Sequence, residues 1–247
     1  MTKVILIIIF VLSGIMAENI STEEFTPKTL NAIHKGLEFL KKNQDEQGFW
    51  RSDIGYKLNV SYKVTANNRP HVGITAMACM AFMANGSTPN QGQYGKEIAK
   101  GIDFIIASAH KDTGYISKYG TRMYSHAFAT LCLAEVYGMT GQKELRPVLE
   151  NAVRLIMECQ NEQGGWRYEP IAMDADMSIT VCQVQALRAA RNVGIKVPKK
   201  YIENAIKYIE RSATYNGGFK YQLLPMNESR VSFALTAADR KSKRLNS

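Results

Sequence analysis

The sequence predicts an all-α protein built from repeated helix pairs, and three observations carry that prediction. First, the run Lys35–Trp50 (KGLEFLKKNQDEQGFW) returns as Asn151–Trp166 (NAVRLIMECQNEQGGW), with Gln44, Gly48 and Trp50 over Gln160, Gly164 and Trp166. Second, two weaker copies share the phase. The Phe39 position recurs as Phe104, Leu155 and Tyr208, the Trp50 position as Tyr115, Trp166 and Phe219, and both series advance by the same intervals. Third, each copy reads as an amphipathic outer helix, a Gly-aromatic elbow and an inner helix rich in small residues. Self-similarity at such spacing marks an architecture in which each unit buries its apolar face against its neighbours.

The elements follow in order. Residues 1–17 read as a signal peptide: Lys3 is the positive start, Val4–Leu12 the apolar run, and SGIMA a small-residue cleavage site after Ala17. The run is short for a bilayer span, so the expectation is export, periplasmic or secreted, with a membrane anchor if the segment stays uncleaved. The repeat domain occupies 18–238. Thr26 or Ser21 caps its first outer helix, with Pro27 in the first turn and Leu30, Ile33, Leu37 and Leu40 at helical spacing; His34 falls on the polar side. Residues 51–71 are a long insertion whose VSYKV alternation predicts a short strand or extended lip. The first inner helix, VGITAMACMAFMA, is apolar nearly all round and stops at Asn85-Gly86. The second pair runs from Ile98 to Ala109, through a Gly114-Tyr115 elbow, to an inner helix that starts near Tyr124 and ends before Gly138. In the third pair an acidic loop holding Asp174 and Asp176 precedes an inner helix from about Met177 to Val193-Gly194. The fourth has Ile202–Ser212, an elbow at 216–219, and VSFALTAA opening an inner helix near Phe233 whose apolar surface is left exposed. Residues 239–247 (DRKSKRLNS) lack helical periodicity and read as a non-native tail.

The formal net charge is +9, but Arg240, Lys241, Lys243 and Arg244 of the tail supply much of it. The remaining body is mildly basic, without a basic stripe or interleaved aromatics, which speaks against nucleic-acid binding. Cys79, Cys132, Cys159 and Cys182 each sit inside an apolar helical run and none forms a CxxC, so buried free thiols are expected rather than a bridge.

Lys35, Gly36, Phe39, Leu40, Gln44, Gly48 and Trp50, with Gln160, Gly164 and Trp166, resemble the QW motif of the prenyltransferase and squalene-cyclase repeat family. The resemblance spans roughly residues 27–238 and implies an α/α toroid, outer and inner helices alternating around a central funnel. Such a ring usually closes with more pairs than are visible here, so the expectation is an incomplete ring. In a toroid the inner-helix heads and their preceding loops ring one mouth, which gathers His71, Thr75, Tyr124, Ser125, His126, Tyr168 and Asp174–Ser178.

Within that set, DADMS (Asp174–Ser178) resembles the acid motif of squalene-hopene-type cyclases. The resemblance implies Asp176 as the proton donor to an alkene and Asp174 as its support, because a crowded, desolvated carboxyl keeps its proton. Met177 stands where the third family aspartate would be, and the alternative role for Asp176 is a helix N-cap. Tyr124, His126 and Tyr168 are the expected binding residues. The zinc-dependent branch of the family needs an Asp-x-Cys that is absent, so neither a metal nor another cofactor is expected. Three functions remain: acid-initiated isoprenoid (terpene) cyclase chemistry; a non-catalytic exported toroid binding an apolar ligand, such as an isoprenoid, or a partner protein; and a secreted toroid acting on polysaccharides with paired carboxylates and aromatic platforms. Association with a membrane surface is a further expectation.

Overall fold

The computed structural model describes residues 26–58, 61–215 and 217–223. The signal segment at 1–17, the stretch around Phe233, the tail at 239–247 and Asn216 of the fourth elbow lie outside those residues. The chain divides into two units, Met1–Lys42 and Asn43–Ser247. The first contributes helix α1 (Pro27–Lys42). The Thr29 amide donates to Thr26 Oγ1 at 3.2 Å, so Thr26 acts as the cap, and Pro27 occupies a first-turn position where no N–H is missed.

The second unit opens with a hairpin, β1 (Arg51–Leu58) and β2 (Ser61–Pro70), followed by α2 (Val72–Ala84), α3 (Gly95–Ala107), α4 (Arg122–Thr140), α5 (Leu145–Glu158), α6 (Met177–Asn192) and α7 (Lys199–Ser212). Helices α2, α4 and α6 form the inner series, with α4 packed on both of the others, while α3, α5 and α7 pack on α2, α4 and α6 in turn. Side-chain chemistry explains the layering. Helices α2 and α4 bury Ala76, Cys79, Phe82, Ala127, Cys132 and Leu133 on several faces, as helices covered on both sides must. Helices α5 and α7 bury one stripe, Leu149, Val153 and Ile156 in one and Ile202, Ala205 and Ile209 in the other, and leave charged residues outside. All four cysteines are free thiols, three of them buried and Cys182 partly so.

The elbows fix the repeats to one another. Gln44 Nε2 donates to the Gly48 carbonyl at 2.9 Å and to Glu97 O in the first turn of α3 at 2.8 Å. Gln160 does the same with Gly164 at 3.0 Å and Tyr201 of α7 at 2.8 Å. The glycines are required twice over. Gly48 and Gly164 have φ of 90° and 91°, and a Cβ on them would lie 2.3 and 2.2 Å from Lys100 O and Asn204 O of the next outer helix. Trp50 and Trp166 are buried, and the Trp166 indole donates to Ile156 O at 2.7 Å.

In the second repeat the register differs from the sequence alignment by one residue. The Trp50 and Trp166 amides donate to Thr75 Oγ1 and Thr180 Oγ1; the amide that makes the matching bond, to His126 Nδ1, belongs to Ile116. Ile116, fully buried, is therefore the counterpart of the tryptophans, and Tyr115 is the counterpart of Phe49. An extra residue in the second elbow causes the shift. Gly48 and Gly164 donate back to Asp45 and Asn161 three residues earlier, whereas Gly114 reaches four back to His110. A second correction concerns Gly138, which does not end α4. The helix continues to Thr140 and stops at Gly141, in the left-handed region with φ 64°, while Gly138 gives close passage to Val193, 2.8 Å from a would-be Cβ. The outer helices α3 and α7 also start earlier than their apolar spacing indicated, at Gly95 and Lys199.

Candidate functional site

The heads of the inner helices are built alike. His71 and Asp176 are the N-caps of α2 and α6; both have extended backbone, and their side chains accept from Ile74 N and Ile179 N respectively. Their own amides donate to Trp50 O and Trp166 O, each at 2.9 Å. The elbow tryptophan thus sets the start of the inner helix in both repeats. The next repeat then ties down the head of the preceding inner helix: Met123 N donates to Tyr168 O, and Met177 N to Tyr221 O. That pairing places Tyr168 and Tyr221 side by side with their hydroxyls in contact, and brings the Tyr168 ring within 6.1 Å of Tyr124.

Over these heads lies a cleft of about 680 Å³. One wall is the hairpin, through Ile54, Tyr56 and Tyr62; the floor is Ile74, Met77 and Phe128; the far wall carries Tyr124, Tyr168 and Tyr221, with Ser178 beside them. The hairpin reaches this position because Arg51 pairs with Pro70 and His71 N donates to Trp50 O, closing its base. Arg122, at the head of α4 with φ 60°, borders the cleft; Glu169 holds its guanidinium at 3.0 Å and it lies over the Tyr56 ring. Among the described residues no carboxylate lines the cleft.

The residues picked out by sequence are distributed unevenly about it. Tyr124 and Tyr168 line it. His126 does not: it is fully buried, takes the Ile116 amide on Nδ1 at 3.0 Å and faces Ala152 O through Nε2 at 3.1 Å. Since Nδ1 accepts, the proton is on Nε2 and donates to that carbonyl, and burial holds the imidazole pKa down at about 4. Asp176 is also wholly buried and is not a lining residue. Its Oδ1 accepts from Ile179 N at 3.0 Å and from Ser178 Oγ at 2.5 Å; Oδ2 is buried with no partner among the described residues. Burial raises its pKa above the usual carboxylate range, offset in part by the Ser178 and Ile179 hydrogen bonds and the Arg167 charge. Asp174 is not its companion. That carboxylate is 67 % exposed and pairs with Arg167 at 2.9 Å, so crowding of two carboxyls does not arise.

Sequence reasoning did not single out Tyr56, Tyr62, Phe128 or Tyr221. The signal for Tyr56 and Tyr62 was their place in the insertion, and for Tyr221 its match to Tyr168 two residues past the elbow aromatic. Among the described residues no His, Cys, Asp and Glu cluster could hold a metal ion, and no helix is long and apolar enough to cross a membrane.

Comparison with known proteins gives the family. The prenyltransferase alpha-alpha toroid domain matches residues 25–239. A squalene–hopene cyclase from Bradyrhizobium diazoefficiens is 23% identical over 154 residues, covering 59% of this chain but 22% of that protein. Among solved structures, a cellobiose 2-epimerase from Bacillus thermoamylovorans aligns with TM-score 0.59 at 12% identity, over 84% of this chain and 61% of that one. The ent-copalyl diphosphate synthase from Streptomyces platensis aligns with TM-score 0.50 at 17% identity, over 81% and 35%. At these identities the two structures show the fold alone, and the chain spans about a fifth of the length of the curated relative it matches. With its elbow-locked helix pairs and inner series of α2, α4 and α6, the chain belongs to the prenyltransferase α/α-toroid family.

Proposed function

We propose that this toroid domain binds an apolar small molecule in the cleft between the hairpin and the inner-helix heads. The observation that carries this reading is the lining. Among the described residues aromatic and aliphatic side chains form most of it and no carboxylate takes part, as expected of a pocket that desolvates an apolar body. Among the described residues that lining also lacks the two carboxylates with which most glycosidases flank the bond they hydrolyse. The squalene–hopene cyclase relative supports an isoprenoid as the ligand class. The test is binding of an isoprenoid ether by the wild type and by Ile74→Trp, which fills the floor. Saturable binding that the variant loses, with unchanged thermal stability, supports the cleft. Equal binding by both would place the ligand elsewhere.

A second reading, acid-initiated cyclisation, is favoured by one observation, the buried Asp176 with its raised pKa. Two facts stand against it: His71 holds the equivalent capping position in α2, and Ser178 and Tyr124, not Asp176, face the cleft. Asp176→Asn separates the readings, because asparagine caps as well as aspartate but cannot protonate an alkene. Cyclised product from the wild type and none from the variant would establish the acid.

A further inference from the structure

The polar end of the cleft has a fixed hydrogen-bond polarity. Tyr124 Oη donates to Ser178 Oγ at 2.7 Å, and Ser178 Oγ donates to Asp176 Oδ1 at 2.5 Å. The direction of this chain does not depend on the charge of Asp176. Oδ1 already accepts from both Ile179 N and Ser178, so a proton on the carboxyl would reside on Oδ2 and leave the order unchanged. Burial also raises the Tyr124 phenol pKa above its ordinary value, which keeps the hydroxyl neutral. Its single proton is spent on Ser178, and only lone pairs remain for the cleft.

We propose that the ligand is amphipathic: an apolar body ending in a hydroxyl or amine, whose proton Tyr124 accepts. This rests on the cleft reading above and narrows it. Among the other polar side chains along the cleft, His71 Nδ1 is taken up by the Ile74 amide. Ser125 Oγ accepts the Gly73 amide, and Arg122 is a donor already paired with Glu169. Tyr168 and Tyr221 are hydrogen-bonded to each other, one hydroxyl donating to the other, and Tyr124→Phe separates their lone pairs from those of Tyr124. A pure hydrocarbon would bury the Tyr124 lone pairs without a partner, at a cost in affinity that an alcohol avoids.

The test compares farnesol with farnesyl methyl ether, which keeps the chain and the oxygen but lacks the donor. Wild-type protein should bind the alcohol about 3- to 10-fold more tightly, the range one neutral hydrogen bond supplies. In Tyr124→Phe the preference should vanish while ether affinity stays within about twofold, since the ring is kept. Ser178→Ala gives a reading that loss of structure would not: Tyr124 regains its proton for the cleft, so the ether should gain on the alcohol. Equal affinities in the wild type would overturn the donor inference and leave the apolar cleft standing. A preference that survives Tyr124→Phe would also overturn it. Binding of neither compound would overturn both.

Discussion

His126 and Asp176 are both buried ionisable groups, and they respond to pH in opposite senses. The pKa of His126 falls from 6.5 to about 4 on folding, so the unfolded chain binds the proton more readily. Its contribution is complete above pH 6.5 and is lost as pH falls toward 4, amounting to about 3 kcal/mol. A stability-versus-pH series should show that loss in the wild type and lack it in a His126→Gln variant, which starts less stable. The folded pKa of Asp176 lies above its ordinary value of 3.8, so the native state favours the protonated form. Stability from this group is highest below 3.8 and declines as pH rises through the raised value. Asp176→Asn should therefore be at least as stable as the wild type at neutral pH, the advantage disappearing in acid; a large loss at pH 7 would contradict the capping role. Sequence alone could rank Asp176 as a cap or an acid but not choose. The Ile179 bond that makes it a cap and the separate pairing of Asp174 with Arg167 depend on side-chain direction, which spacing does not encode.

The elbow is the element that determines the repeat, and its glycine is the most sensitive point. Gly164→Ala must place a Cβ at φ 91°, 2.2 Å from Asn204 O. Left-handed strain and overpacking together should cost about 3 kcal/mol or more. Gly86 is the matched control: its φ is 87°, but a Cβ there meets nothing within 4 Å. Its alanine variant should lose only about 1–2 kcal/mol, and equal losses in chemical denaturation would mean that the close approach is unimportant. Trp166→Ala should cost about 3–5 kcal/mol as a large core truncation. This level was the most legible in the sequence, because Gln, Gly and Trp at fixed offsets report one hydrogen-bonded turn. The second elbow was misread by one residue because the aromatic Tyr115 attracted the alignment. The structure instead keeps the amide-to-inner-helix bond, which a buried isoleucine makes as well as a tryptophan.

For the whole molecule, the inner helices, their order and the cleft side carrying Tyr124 and Tyr168 followed from repeat phase and the resemblance, but the hairpin wall of the cleft did not. It is made by the 51–71 insertion folding as a hairpin over the inner-helix heads, and alternation could suggest a strand there without saying what it covers. Tyr56 and Tyr62 enter the site only through that placement. The most direct measurement is a crystal structure of the protein grown with a brominated isoprenoid alcohol. The expected result is an anomalous bromine peak in the cleft, between the hairpin at Tyr56 and the floor at Ile74 and Phe128, with the hydroxyl at Tyr124. A bromine site elsewhere on the chain, with this cleft filled only by water, would contradict the assignment.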